Sequence, residues 1–131
     1  MTRKADPAAA LHSLIGRYLD DRLSYLRVGF PCRVIAFDAA AGTADIQPLI
    51  RISDADPAMI HSAPVLFQRY SVNGGEPVTY KPFLQQGDVV FAICADRELK
   101  NAKAGKVASA DTERQHSVND AVIVGVFGWN L

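Results

Sequence analysis

The sequence lacks a net charge, a cysteine framework and a long apolar run, and each absence excludes a class of protein. Its 131 residues include 14 Lys or Arg and 14 Asp or Glu, so no overall field attracts a polyanion or an anionic membrane. Two cysteines are too few for a disulfide scaffold. No stretch approaches the roughly 20 apolar residues of a membrane span, and Asp6 and Pro7 interrupt any secretory leader after Arg3 and Lys4. We therefore expect one domain, folded in a cytoplasm.

Candidate catalytic and metal-binding groups are sparse. His12, His61 and His116 lie far apart, with no carboxylate or cysteine at ligand spacing. Ser117 lies between His116 and Asp120, but no nucleophile elbow surrounds it, and we expect Ser117 and Asp120 to cap a turn or helix. We predict no catalytic residue, metal or cofactor, and hence not an enzyme.

The two cysteines, Cys32 and Cys94, are spaced like neither a zinc motif nor a redox motif. We expect both thiols to be buried in strands as small hydrophobic groups. A single bridge between neighbouring strands is the alternative.

The N-terminal segment has helical periodicity. Asp6 is the expected N-cap and Pro7 the first helical residue. The apolar residues that follow at three- and four-residue steps form one stripe on a helix of about 20 residues: Leu11, Leu14, Ile15, Tyr18, Leu19, Leu23 and Leu26. This stripe packs either on its own domain or against other copies of the chain or a neighbouring subunit.

After Gly29 the period changes to two, which predicts strands. Residues 30–37 and 43–52 flank a five-residue turn ending in glycine and predict a hairpin, with an edge, bulge or bend at Pro48. Further strands are predicted from residue 64, at 78–80, at 89–95 with both faces buried, and at 121–126. Residues 53–63 are predicted to be a polar loop, 99–104 a helical turn and 105–116 a mobile excursion. The pattern favours a small closed barrel or a sandwich.

Small barrels often bind single-stranded nucleic acid through aromatic and basic side chains on one face. The candidates here are two adjacent pairs, Arg69 with Tyr70 and Tyr80 with Lys81. With no net charge and few such pairs, we expect no nucleic-acid partner, and keep this function as the alternative.

Three ordered stretches resemble the N-terminal OB-fold domain of bacteriophage baseplate central spike proteins, the family related to baseplate assembly protein V and to contractile injection system spikes. They lie in residues 33–50, which read RVIAFD then TADIQPLI; in residues 64–90, which contain PV then PFLQQGDVV; and in residues 96–121, which contain DRELKN then RQHSVNDA. The similarity covers about residues 30–125.

The resemblance implies a five-stranded OB-fold-like Greek-key barrel at 30–126, preceded by the helical segment 1–29 and followed by an apolar tail at 127–131. It also implies a homotrimeric, non-enzymatic collar in the virion, assembled in the host cytoplasm, between a tail hub protein and a membrane-piercing tip. Many relatives hold iron in a His-x-His apex, which this chain lacks. A separate tip protein is therefore expected, and this chain is not expected to insert stably in a membrane. A hydrolase or cell-wall-active subunit is a weaker rival, since it has no candidate catalytic pair.

Two further sets of residues follow from this resemblance. The helical stripe is predicted to meet other copies or the hub, and the apolar tail residues Phe127, Trp129 and Leu131 to receive the tip protein, with packing inside the chain as the alternative for both. Four polar residues of the third stretch are predicted to form a structural network that ties the long loop to the barrel rim: Arg97, Arg114, His116 and Asp120.

Overall fold

A computed structural model describes residues 6–131. The regular elements are α1 (Pro7–Ser24), β1 (Gly29–Asp38), β2 (Thr43–Pro48), β3 (Ile60–Pro64), β4 (Gln68–Tyr70), β5 (Val78–Tyr80), β6 (Val89–Cys94) and β7 (Ala121–Val126). Single 3-10 turns cover Lys100–Ala102, Val118–Asp120 and Gly128–Asn130. The helical turn predicted at 99–104 and the last strand predicted at 121–126 are confirmed.

Helix α1 begins as its sequence predicts. The Asp6 carboxylate accepts a hydrogen bond from the Ala8 N–H at 3.0 Å, and Pro7 is the first helical residue, where a missing N–H costs nothing. The helix runs for 18 residues, and none of them is buried. The stripe therefore does not enter the core of its own barrel.

Five strands form one curled antiparallel sheet in the order β3-β2-β1-β6-β7. The long strand β1 produces the curl, because its first half pairs with β6 and its second half with β2. A parallel bridge from Val65 to Ile123 joins the two ends of the sheet over a short distance. The result is a half-barrel with an OB-fold-like arrangement, and the predicted mainly β fold class is confirmed.

The core follows the period of two in the strands. Cys32 and Val34 of β1 face Ile46 of β2 and Ile123 of β7, and all four side chains are fully buried. Pro48 is the last residue of β2 and lies beyond the last β2–β3 pair, Ile46 with Ile60, where the ladder to β3 has already ended.

Strand β6 departs from the prediction that both of its faces are buried. Val90, Ala92 and Cys94 face the core, but Phe91 is half-buried and Ile93 is 40% exposed. The apolar run continues on the outer face because Phe91 packs edge to face on Phe127, with ring centroids 5.9 Å apart. From the sequence alone, an apolar outer face covered by another part of the chain cannot be distinguished from a face buried in the core.

The third strand lies earlier in the chain than predicted, because β3 occupies part of the expected polar loop and ends at Pro64. Its alternation is broken at Ser62, whose φ is 54° and whose N–H donates to the Asp45 carboxylate at 2.8 Å. Ile60 and Ala63 still reach the core. Because a bulge separates these two inward-facing residues, the segment lacks the period of two from which a strand could have been predicted.

Strands β4 and β5 form a separate two-stranded ribbon. They meet at a turn in which Asn73 and Gly74 have φ values of 51° and 73°, as expected for asparagine and glycine. Every residue of both strands is exposed. A ribbon exposed on both faces is marginally stable alone, which makes it a candidate for further packing.

Candidate assembly surfaces

The described residues contain no cluster of three or more His, Cys, Asp or Glu side chains suited to a metal ion. His61 lies 3.7 Å from Asp45 and His116 lies 3.5 Å from Asp96, so these two histidines have different partners. The Ser117 hydroxyl accepts a hydrogen bond from the Asn119 N–H at 3.2 Å, which is the capping role that the sequence predicts. Over residues 6–131 there is also no helix with the length and apolarity to cross a membrane.

Both cysteines are buried free thiols, as predicted, rather than a bridge. Burial raises the pKa of Cys32 to about 12 and also raises that of Cys94. Since the thiolate is the reactive form, both groups act as core hydrophobes and are poor nucleophiles.

The predicted structural network contains a bidentate ion pair. The Arg114 guanidinium donates from Nε to Asp120 Oδ2 at 2.7 Å and from Nη2 to Asp120 Oδ1 at 2.9 Å. The Leu99 N–H donates to Asp120 Oδ1 at 3.2 Å. Asp120 is buried, and the hydrogen bonds from Arg114 lower the pKa of its carboxyl group, although burial alone would raise it.

The same arginine reaches a second buried carboxylate that sequence reasoning missed. Glu98 is buried, accepts a hydrogen bond from the Thr112 hydroxyl at 2.7 Å, and lies 3.5 Å from Arg114 Nη1. In the sequence, Glu98 could have been noticed because it directly follows Arg97, one of the predicted network residues. Two buried carboxylates on one arginine fix the geometry of the loop ends.

Arg97 and His116 lie next to this pair but bind other partners. Arg97 forms an isolated antiparallel bridge with Gln115 and donates from Nη1 to the Glu113 carbonyl at 3.4 Å. His116 has a φ of 46° and its partner is Asp96. The four predicted network residues therefore cluster at the base of the loop, with Arg114 and Asp120 in direct contact.

The excursion that the sequence predicts to be mobile is tied down through polar contacts. Asn101 Nδ2 donates to the Ser109 carbonyl at 2.9 Å and to Asp111 Oδ1 at 3.0 Å, and Lys100 lies 3.5 Å from Asp111. Val107, at the loop tip, is fully exposed. The loop is fixed at its ends and solvated at its tip.

The helical stripe predicted as an interface is exposed along its whole length. Its seven residues are all among the exposed or partly exposed large hydrophobic side chains of the chain: Leu11, Leu14, Ile15, Tyr18, Leu19, Leu23 and Leu26. Arg22 lies on this side too, with its Nε donating to the Tyr18 hydroxyl at 3.1 Å. Whether these side chains form an interface stays a prediction.

The apolar tail is partly anchored to the barrel. Phe127 packs on Phe91 of β6, and Trp129 stacks on Phe127 with ring centroids 4.0 Å apart and planes inclined by 6°. Trp129 remains 67% exposed and Leu131 is exposed. The tail thus presents the outer face of an indole whose orientation is already fixed, which lowers the entropy cost of docking.

The two Arg/Lys–Tyr pairs considered for nucleic-acid binding lie together on the β4–β5 ribbon. Gln68 pairs with Tyr80 and Tyr70 with Val78, so both tyrosines are close in space. Their rings contact each other edge to face at 5.7 Å between centroids. Their mutual contact uses part of the ring surface that a base would need for stacking.

The total exposed surface is large for a chain of this mass. It measures 10076 Å² for 14.2 kDa, whereas a folded monomer of that mass is expected to expose about 6,800 Å². Helix α1 and the β4–β5 ribbon contribute strongly to the difference, because neither contains a buried residue.

A scan against protein-family models matches residues 30–125 to the family described as phage protein Gp138 N-terminal domain. This range covers the whole half-barrel from β1 to β7. The chain belongs to the Gp138 N-terminal domain family. A comparison with curated proteins gives no match.

Membership of the Gp138 N-terminal domain family makes this a phage protein of the baseplate or spike type, with a structural role associated with the virion. It agrees with the family resemblance drawn from the sequence at this coarser level. The closer relation to baseplate assembly protein V stays a prediction. A phage structural domain is also consistent with the expectation of a non-enzymatic chain.

Proposed function

We propose that this chain is a collar subunit of a phage tail spike, a homotrimer of OB-fold-like barrels that joins the tail hub to a separate membrane-piercing tip in the baseplate. It acts by rigid assembly and catalyses no reaction. The observation that supports the proposal is the exposed apolar stripe of α1, none of whose residues is buried, on a barrel of a phage family. Such surface is expected where a protomer is completed by its neighbours.

In this proposal, two surfaces of the chain bind different partners. The stripe of α1 meets the other copies or the hub, since a helix with no contact in the core gains stability only from a partner. The tail around Trp129 receives the tip, because an oriented and exposed tryptophan is a typical interface anchor. Arg114 and Asp120 hold the loop ends so that the barrel is rigid.

The test is the solution mass of the purified chain by light scattering coupled to size exclusion, at low and high salt. We expect three times the 14.2 kDa chain mass in both buffers, because apolar interfaces between uncharged side chains are little affected by ionic screening. A monomeric mass over the whole accessible concentration range would contradict the homotrimer.

A further inference from the structure

Strand β7 has an edge that is only partly paired. It pairs with β6 on one side, and on the other side the Leu66 N–H donates to the Ile123 carbonyl at 3.1 Å. Beyond that point, Val124, Gly125 and Val126 have no strand beside them in the described chain. Natural proteins block such edges with charges, proline or bulges. The strand itself, AVIVGV, has no charge and no proline, and it has one bulge, at Val124, where the pairing with β6 shifts between Ile123 and Gly125. The backbone groups of Gly125 and Val126 on this side are available to a further strand.

A groove runs along this free edge. Its walls are the last three residues of β7 and the chain leaving β5, and its exposed apolar side chains include Leu66, Tyr80 and Phe83, the last of which is 74% exposed. Gly125 lies in the middle, and a Cβ built there would have no neighbour within 4 Å. A glycine at an open strand position permits close approach of a second backbone.

The chain also contains a segment suited to that groove. After β2 ends, Leu49, Ile50 and Ile52 are all exposed. The Leu49 N–H donates to the Pro31 carbonyl at 3.0 Å, whereas residues 50–52 have no backbone hydrogen bond within the described residues. This short segment has β-forming side chains and free backbone groups.

The segment and the groove lie at opposite ends of β2. The groove is near the Thr43 end, since Pro64 pairs with Thr43 and the Val65 N–H donates to the Gly42 carbonyl at 2.9 Å. The segment follows Pro48 at the other end. One copy therefore cannot fill its own groove with this segment, so the segment has to come from another copy, and in a trimer that contact is head to tail. Head-to-tail contacts that close form rings.

We infer that residues 49–52 of one copy add as a strand to the free edge of β7 in the next copy, with Ile50 and Ile52 entering the groove. This inference rests on the proposed homotrimer and names the contact that closes it. The strand addition satisfies backbone groups on both sides and covers apolar side chains on both sides.

The first experiment tests proximity by chemical cross-linking. The double variant I50C/V124C, treated with a short bismaleimide, is expected to give covalent dimers and trimers on a denaturing gel. The native cysteines are a low background, because both are buried and their pKa values are raised. The matched control is I50C/V107C, since Val107 is fully exposed at the loop tip.

The outcomes separate this inference from the proposed function. If I50C/V124C is trimeric by light scattering but cross-links no more than I50C/V107C, the inference is wrong and the trimer stands. A monomeric mass for the unmodified chain overturns both.

A second experiment perturbs the edge without disturbing the barrel. Val124→Lys places a charge on the free edge, and we expect it to weaken association roughly 30-fold or more, as at an interface hot spot. Val107→Lys is the control and should leave the association constant unchanged. Gly125→Val should reproduce the effect by steric means, since its side chain has space only while the groove is empty. Normal association of both edge variants would overturn the inference.

Discussion

The carboxyl group of Asp120 is the clearest structural contribution of a single side chain. It is buried, accepts two hydrogen bonds from Arg114 and one from the Leu99 N–H, and so links the last 3-10 turn before β7 to both ends of the loop. Glu98 adds a second buried carboxylate to the same arginine. A buried charge of this kind is strongly coupled to its partner and costly to leave unpaired.

Asp120→Asn is expected to lower the free energy of unfolding by about 2–3 kcal/mol at pH 7, because it removes a charge-assisted pair from a buried site. The pKa of Asp120 is lowered on folding, so its contribution is present above the ordinary value of 3.8 and is lost as pH falls through the lower folded value. The difference between variant and parent should therefore shrink toward pH 2 in chemical denaturation.

Asp54→Asn provides the control for that measurement, because Asp54 is exposed in the loop after β2 and should change stability little at either pH. Equal stability of Asp120→Asn and the parent at pH 7 would show that the ion pair does not support the fold.

At this scale the sequence predicted the buried thiols and the Asp6 cap from local chemistry, while the network residues came from the family resemblance. Glu98 could not be predicted in the same way. An isolated glutamate in a polar stretch is normally solvated, and only the approach of Thr112 and Arg114 from a distant part of the chain makes its burial favourable.

Among the elements, α1 stands apart because it is well specified by its sequence yet contributes nothing to the core. Its cap, its first-turn proline and its apolar period all act locally, so its position was predictable. Whether the stripe packed on the barrel was not predictable, since an amphipathic period is the same for both arrangements.

Leu19→Glu is expected to weaken association of the chain at least tenfold while leaving the unfolding free energy of the barrel unchanged, because Leu19 lies on the exposed stripe. Light scattering and far-ultraviolet circular dichroism measure the two properties. The control is Arg17→Glu, on the opposite side of the same helix. Unchanged association of Leu19→Glu would remove the stripe from the trimer contact and leave the hub as its partner.

Strands with a clear period of two were predicted well, whereas the bulged strand β3 and the short strand β4 were not. Strands β1, β2 and β7 alternate over at least part of their length and were located from the sequence. Strand β3 was missed because of the bulge at Ser62, and β4 was not separated from the strand predicted to start at residue 64, since its three residues are all exposed and leave no alternation to detect. Strand β5 lies at the predicted residues 78–80. The pairing of β4 with β5 depends on the turn at Asn73 and Gly74.

The described part of the molecule exposes many large apolar side chains. Many of them lie on the helix, along the edge of β7 and on the tail. If the helix and the β7 edge close the trimer, the tail remains available for a different partner.

If the helix and the β7 edge form the contacts of the trimer, we predict that Trp129 stays accessible to solvent in the homotrimer. It is the single tryptophan of the chain, so its fluorescence is unambiguous. Acrylamide should quench it nearly as well as a free indole analogue, with a modest reduction because Phe127 covers one face. Strong protection in a sample of trimeric mass would place the tail inside the trimer and exclude it as the docking site for a tip protein.

The loop above the barrel rim has a practical consequence. Its two ends are joined by the bridge between Arg97 and Gln115 and by the contacts of Asn101, while its tip around Gly105 and Val107 touches little. A foreign peptide inserted at this tip would therefore leave the barrel intact, since exposed tips with fixed ends tolerate insertions. The chain could then carry a label, an epitope or an affinity handle at this loop.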